Sequence, residues 1–243
     1  MKFPKLEVAP HGSSVKYEAD RFTIFGQEIS HLEDHKFIEI WNEVLTEIEP
    51  FAKDISLSKI FWRAHIANSL FTNSFVNNGI YIECGTHLAV ISRMIFKFNK
   101  NKKFSKYLFD TWNGIPLNQI NDNEPLGKWH NKNNYSEDTF PIVLKLLQDY
   151  DDLELVKGEI PNTLSERFKN ISPFFLHIDM NIEFPERKAL EFFVPQMKKG
   201  SIVLLDDYGF QNHTKQRVMQ DNFFKKINKI PTQIPTGQAF VIL

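Results

Sequence analysis

Five short apolar runs set the architecture of this chain: Ile80–Ile82, Lys106–Phe109, Leu153–Val156, Phe174–Ile178 and Ser201–Leu205. Between and after them lie segments with apolar residues three or four positions apart: His87–Phe98, Glu137–Tyr150, Asn162–Phe168, Pro185–Lys198 and Thr214–Ile227. Strands alternating with helices in this way predict a parallel sheet covered by helices on both faces. The alternation stops at the C-terminus, where Thr232–Ile234 and Ala239–Ile242 flank only PTGQ. No helix fits there, so these two segments are expected to pair as a hairpin and add an antiparallel strand.

Upstream, residues 1 to about 33 show no sustained period and read as an irregular arm with a short hairpin around Phe22–Gln27. From His35, the residues Phe37, Ile40, Trp41, Val44, Leu45 and Ile48 mark an amphipathic helix that ends before Pro50. A second helix is expected over Leu57–Phe75. The resulting layout is an α/β chain with a seven-stranded, mostly parallel sheet, a C-terminal antiparallel hairpin strand and an N-terminal helical cap. That is the Rossmann-like class I methyltransferase fold. Residues 1–56 are assigned to arm and cap helix and 57–243 to the sheet domain. The longest polar stretch, Asn118–Asn134, is expected to be a loop that is either functional or disordered.

With 243 residues the chain can bury a large core. A formal net charge of −1 gives no electrostatic basis for binding nucleic acid or an anionic membrane. The single cysteine, Cys84, excludes an intrachain disulfide and suits a reducing compartment. No segment approaches the roughly 18 apolar residues of a membrane span, and the N-terminus has no apolar leader core, so a cytoplasmic location is expected.

Four of the five predicted strands stop at an acidic residue, and ligands in open α/β sheets sit at those carboxyl ends. In YIECGTHLAV, Glu83 precedes Gly85, which lets the backbone turn tightly ahead of a helix with free N–H groups. No GxGxxG is present, and the alternative is a plain strand-to-helix turn. Asp110 closes the next strand, where a carboxylate can accept both hydroxyls of a ribose. Gly158 and Glu159 follow the third, at the edge where an adenine would lie, although Glu159 also suits the first turn of a helix. The fourth and fifth strands are expected to be neighbours about 4.8 Å apart. Asp179 then faces Asp206 and Asp207, and three converging carboxylates repel unless protonated or bridged by a hard cation such as Mg²⁺.

The segments IECG, FDTWNGIP, KGEIPNTL, LHIDMN, PQMKKG, LLDDYG and PTGQ together resemble the macrocin O-methyltransferase family, which uses S-adenosylmethionine to methylate sugar hydroxyls of natural products. The likeness runs from about Leu57 to the C-terminus. It implies cofactor contacts for Glu83, Gly85, Asp110 and Glu159, and the adjoining Thr86, His87, Thr111, Gly158, Ile160 and Asp179 complete the expected cofactor set. It also implies Mg²⁺ ligation by Asp179, Asp206 and Asp207, with Asp179 as general base. Where the family has Asp-Gly-Asp and then Tyr after the fourth strand, this chain has Met180, Asn181 and Glu183, a change expected to bear on the acceptor rather than on the reaction.

The expected chemistry is in-line attack by an acceptor hydroxyl on the sulfonium methyl. His177, on the same strand face as Asp179, is a second candidate base whose alternative is a core position, and His213 is a candidate acceptor contact. Trp112, Trp129 and His130 are candidate lid residues. The acceptor is expected to be a small molecule or glycan, and the two N-terminal helices offer material for a homodimer contact or a cover. Two other readings stand beside this one: a metal-independent methyltransferase, and a non-catalytic Rossmann-like binding module.

Overall fold

The computed structural model describes residues 15–19, 22–52, 59–121, 124–133 and 137–243. The expected arm before residue 15 and the expected start of the second helix at Leu57 lie outside them. The arm does hold a hairpin, made by β1 (Val15–Ala19) and β2 (Phe22–Phe25) in antiparallel pairing. The main sheet comprises β3 (Gly79–Cys84), β4 (Phe104–Asp110), β5 (Leu153–Lys157), β6 (Phe175–Ile178), β7 (Ile202–Leu205), β8 (Thr232–Gln233) and β9 (Ala239–Ile242). Their order is β5-β4-β3-β6-β7-β9-β8. The first five strands run parallel, and β9 is antiparallel to both β7 and β8.

The chain winds outward from β3 to β5, then returns to lay β6 on the other side of β3. The crevice between oppositely directed connections therefore opens above β3 and β6, the position where open α/β sheets bind ligands.

Strand alternation divides the core into two layers. Tyr81, Phe175 and Leu204 point to one face, which is covered by α1 (His35–Ile48), α2 (Phe61–Ser74) and α3 (Val90–Phe98). Ile82, Leu176 and Val203 point to the other, where Phe193 of α6 (Glu183–Phe193) and Phe224 of α7 (Thr214–Lys226) join them. Much of the Phe-rich composition is spent in the first layer. Phe71 of α2 lies 4.9–6.0 Å, ring centre to ring centre, from Phe104, Phe174, Phe175 and Tyr81. α1 begins where the Asp34 side chain accepts the Phe37 amide at 2.8 Å, a helix N-cap. Among the described residues, no helix is long and apolar enough to cross a membrane.

Three expected elements differ. The helix after β3 starts at Val90 instead of His87, because His87 and Ala89 take left-handed backbone angles, φ 48° and 58°, that no right-handed helix accommodates. The helix expected over Asn162–Phe168 shrinks to a 3₁₀ turn at Glu166–Phe168; Asn162, Thr163 and Ser165 favour turns through local side-chain bonding. The Asn118–Asn134 stretch carries α4 (Pro125–Asn133), which opens on proline at its first position. The remaining helix, α5 (Phe140–Leu147), lies inside the expected Glu137–Tyr150 segment.

Candidate functional site

A cleft of about 730 Å³, counting space open to solvent, crosses the carboxyl ends of β5, β4, β3 and β6. Gly85, His87, Asp110, Thr111, Gly158, Glu159, Ile160 and Asp179 line it, so most of the expected cofactor set converges. Gly85 has φ +87°, and a Cβ there would stand 1.8 Å from the Asp179 carbonyl oxygen. Only glycine permits that approach of the β3 end to the β6 end.

Asp110 organises this rim. Its Oδ2 accepts the Thr86 and His87 amides at 2.7 and 2.8 Å, and its Oδ1 accepts the Trp112 amide at 2.7 Å. The helix-start amides expected to face a ligand are thus turned onto a protein carboxylate, and Asp110 itself is committed to the loop. Thr86 is buried behind the loop. Trp112 is not a lid: it is 2% exposed, donates Nε1–H to the His87 carbonyl at 3.0 Å and packs on Phe140. Trp129 does stand out, 51% exposed, with its ring edge against His130. Its helix α4 is latched to the cleft wall by Asn131, which bonds both the amide and the carbonyl of Ile115 at 2.6 and 2.7 Å.

Glu83 departs from the expected cofactor role. It is 2% exposed, accepts the Ser92 hydroxyl, and faces His177 Nδ1 at 2.9 Å through Oε1. The register explains this, since Glu83 and His177 are paired neighbours on β3 and β6. The far nitrogen of His177, Nε2, stands 3.5 Å from Asp206 Oδ1. Burial alone lowers the basicity of the ring, but the neighbouring Asp206 and Glu83 carboxylates outweigh it and push His177 up to about 10. His177 therefore lies fully buried between two carboxylates that favour its protonated form, and it is not placed to take a proton from an acceptor.

Asp206 has two further partners that sequence reasoning missed. Arg63, from the first turn of α2, brings Nη1 to 2.5 Å from Oδ2, with side chains only 12% and 5% exposed. Gln238, the glutamine of PTGQ, donates to Oδ1 at 2.7 Å. Burial would raise the Asp206 carboxyl, yet the Arg63 charge and the His177 and Gln238 contacts hold it well below the usual range. An arginine within the largely apolar IFWRAHIA was the available signal for Arg63.

Asp179 is half-buried, its backbone amide bonded to the Cys84 carbonyl at 2.8 Å. Burial first, then the charges of Asp206 and Asp207, push its carboxyl well up. His177, Asp179 and Asp206 bring one ligand atom each within 4.8 Å of one another. Asp207 is turned aside: its Oδ2 is buried without a hydrogen-bond partner, 3.7 Å from His213 Nδ1. His213 is itself buried and bonded to Gln216 at 2.6 Å, which removes it as an open acceptor contact. Glu186 of α6 completes the surroundings, clamped by Gln216 and Gln220, each at 2.8 Å.

The fold recurs in solved structures. The O-methyltransferase NovP superposes with TM-score 0.64 at 16% identity, covering 75% of this chain and 79% of NovP. CalS11, a calicheamicin methyltransferase, gives 0.63 at 15%, covering 89% and 97%. TomG from Streptomyces achromogenes, solved with S-adenosylmethionine, gives 0.53 at 10%, covering 84% and 89%. The chain has the class I methyltransferase fold. No protein-family model matches its sequence, and a search of curated proteins finds no match.

Proposed function

We propose that this chain transfers a methyl group from S-adenosylmethionine to a hydroxyl of a small-molecule or glycan acceptor. One observation carries the reading: the cleft at the topological switch point runs from Glu159, past Gly85, to a carboxylate cluster at Asp179. It spans three strand spacings, roughly 14 Å at about 4.8 Å each, which suits an extended nucleoside with an amino-acid tail. The fold it shares with NovP and CalS11 supports the same reading, and one CalS11 structure is described as a TDP-rhamnose 3'-O-methyltransferase.

The charges at the far end fit a divalent cation. His177 is matched with Glu83 and Arg63 with Asp206, which leaves Asp179 and Asp207 as carboxylates in excess. The buried, unpartnered Asp207 Oδ2 and the upward-pushed Asp179 both call for positive charge nearby. Asp179 and Asp206, which each bring an oxygen into the same 4.8 Å cluster, would hold Mg²⁺, which needs only one or two carboxylates plus water, and Asp207 would add negative charge behind them. Bound there, the ion would lower the pKa of an acceptor hydroxyl and orient it. Asp179, the one carboxylate of the three that also lines the cleft, is the group to receive the hydroxyl proton.

A second reading has its own observation. Arg63 already neutralises Asp206, so the cluster holds one permanent cation without any metal. Turnover of a sugar-nucleotide and glycoside panel with isotopically labelled S-adenosylmethionine, with and without chelator, separates the two. Methylated product that disappears with chelator and returns with Mg²⁺ supports the metal-assisted reading, and chelator-insensitive product supports the second. Absence of S-adenosylhomocysteine binding by calorimetry would sink both.

A further inference from the structure

The whole-chain charge of −1 averages over an uneven distribution. The acids of the cleft lie at the carboxyl ends of the strands, whereas one corner at the opposite end of the sheet carries lysines. That corner is built from the turn at 198–200 that enters β7, the end of α7 with the turn into β8, and the last residues of β9. Gly200 donates its amide to the Leu243 carbonyl at 2.8 Å, and Lys229 Nζ donates to the Ile242 carbonyl at 2.8 Å, so the three pieces are contiguous. Extended by two positions, the Thr232↔Phe240 register brings Ile230 opposite Ile242. No aspartate or glutamate occurs in 192–205 or 222–243, while Lys198, Lys199, Lys225, Lys226 and Lys229 do. The first four of these are exposed, and among the described residues none of them is held in an ion pair. Glu191 of α6, across a groove from Lys226, is already held by Lys188 and Arg187. Three isoleucines stand in solvent among the lysines: Ile227 is 43% exposed, Ile230 85% and Ile242 53%. A single exposed apolar side chain is ordinary, but several gathered at one corner and rimmed by polar groups mark a surface that docks on something.

We propose that this corner docks on an anionic lipid bilayer, with the Ile230 tip entering the headgroup layer and the lysines resting on the lipid phosphates. Interfacial binding of this kind adds buried apolar area to the attraction between basic side chains and acidic lipids. The other occupants fit less well. A second copy docked corner to corner would set lysine against lysine with no carboxylate between them. A nucleic acid would satisfy the lysines, but aliphatic tips offer its bases no aromatic face to stack on. Strand direction fixes the orientation: β7 runs from Ile202, beside this corner, to Leu205, next to Asp206 at the cleft. A docked chain therefore holds its cleft one strand length away from the lipid and facing solution. The inference stands apart from the methyl-transfer reading, since it uses none of the cleft residues.

Co-sedimentation of the full chain with vesicles tests this without any turnover. Binding is expected to phosphatidylcholine vesicles that contain about 30% phosphatidylserine, and not to phosphatidylcholine alone. It should weaken as salt rises from about 0.05 M to about 0.5 M. Lys199→Gln combined with Lys225→Gln is expected to weaken it about 25-fold, at roughly fivefold per lysine, and Ile230→Ser about tenfold. Ile230 is 85% exposed, so the substitution leaves the fold intact. Val218→Ser, at a 50% exposed position in the first half of α7 and away from the corner, is expected to bind as the wild type does. Absence of binding to the phosphatidylserine vesicles overturns the proposal. Binding that responds to the lysines but not to Ile230 overturns it too, because that is general attraction to a polyanion, and so does a loss in Val218→Ser equal to that in Ile230→Ser. Self-association in sedimentation velocity that Ile230→Ser abolishes, with no vesicle binding, would assign the corner to a second copy instead.

Discussion

At the β5–β4 end of the cleft, side-chain oxygens meet backbone amides: Asp110 gathers three of them, and the Gln119 amide answers the Ile160 carbonyl. At the β6–β7 end, carboxylates meet other ionisable side chains, through His177, Arg63 and Asp206. The first end is shaped by main-chain geometry and is suited to holding one fixed ligand. The second depends on a balance of charges drawn from α2, β3, β6 and β7, and two carboxylates are left over. A group that must gain and lose a proton is more easily built in such a balance than among neutral amides. Under the proposed function, recognition falls to the first end and chemistry to the second.

The largest expected effect tests that division directly. Asp179→Asn removes the proposed proton acceptor and should lower kcat by about 10²–10⁴-fold. S-adenosylhomocysteine affinity should change little, and the melting temperature should hold or rise, because a carboxyl repelled by Asp206 and Asp207 becomes neutral. Full activity in this variant on an identified acceptor would falsify the proton-transfer role. Arg63→Ala comes next. Removing one partner of a buried ion pair leaves Asp206 with only Gln238 and His177 beside it, at a cost of about 3–5 kcal/mol, which thermal or urea unfolding would register. A loss below about 1 kcal/mol would mean that the pair behaves as a solvated surface contact and that the charged end is less closed than its 12% and 5% exposures imply.

The sheet was legible because its signals are local: apolar runs, the acids that stop them, and a final segment too short for a helix. The convergence of Asp179 with Asp206 followed from strand order alone, since β6 and β7 are neighbours. What alternation could not reveal is which partner each acid takes. Glu83 was read as a ligand for the cofactor, but the β3–β6 register sets it against His177, 94 positions away. Arg63 lies 143 positions from Asp206, in a helix whose pattern spoke only of packing. Gln119 sits in a polar stretch with no period at all, so nothing in the sequence pointed to its bond with the Ile160 carbonyl. Trp112 was misread for a related reason: an aromatic in a turn-forming segment looks exposed until the Phe140 ring and the His87 carbonyl are placed around it.

At the recognition end, Asp110→Asn sharpens the contrast. Asparagine keeps one oxygen and turns an NH₂ toward amides that need an acceptor, so at least one of the Thr86, His87 and Trp112 amides goes unsatisfied. A cost of about 1–3 kcal/mol is expected, as a lower melting temperature accompanied by roughly tenfold weaker S-adenosylhomocysteine binding. Were Asp110 chiefly a ligand group, binding would fall while the melting temperature stayed put, and the two ends would be less different than their hydrogen bonds indicate.

The smallest effect concerns Glu186, at the back of the charged end. Burial, with help from the Asp207 charge, pushes its carboxyl up to about 8, although the amides of Gln216, Met180 and Gln220 work against the rise. Between the ordinary value of 4.5 and about 8, the folded chain keeps a proton that the unfolded chain releases. Folding then loses stability as pH rises through that window. His177 acts with the same sign over a higher range, from 6.5 to about 10, because its raised basicity stabilises the fold below 6.5 and ceases to do so as the ring deprotonates. In metal-free buffer the wild-type melting temperature should therefore decline steadily from weakly acidic to alkaline pH. Glu186→Gln should flatten the part below about 8 and leave the part above it to His177. It should also lower stability slightly throughout, since an amide oxygen can replace only one of the two oxygens that receive Gln216 and Gln220. A profile in Glu186→Gln parallel to that of the wild type below 8 would show that Glu186 is ionised at neutral pH. The negative charge around Asp207 would then be larger by one, and the case for a cation at that end correspondingly stronger.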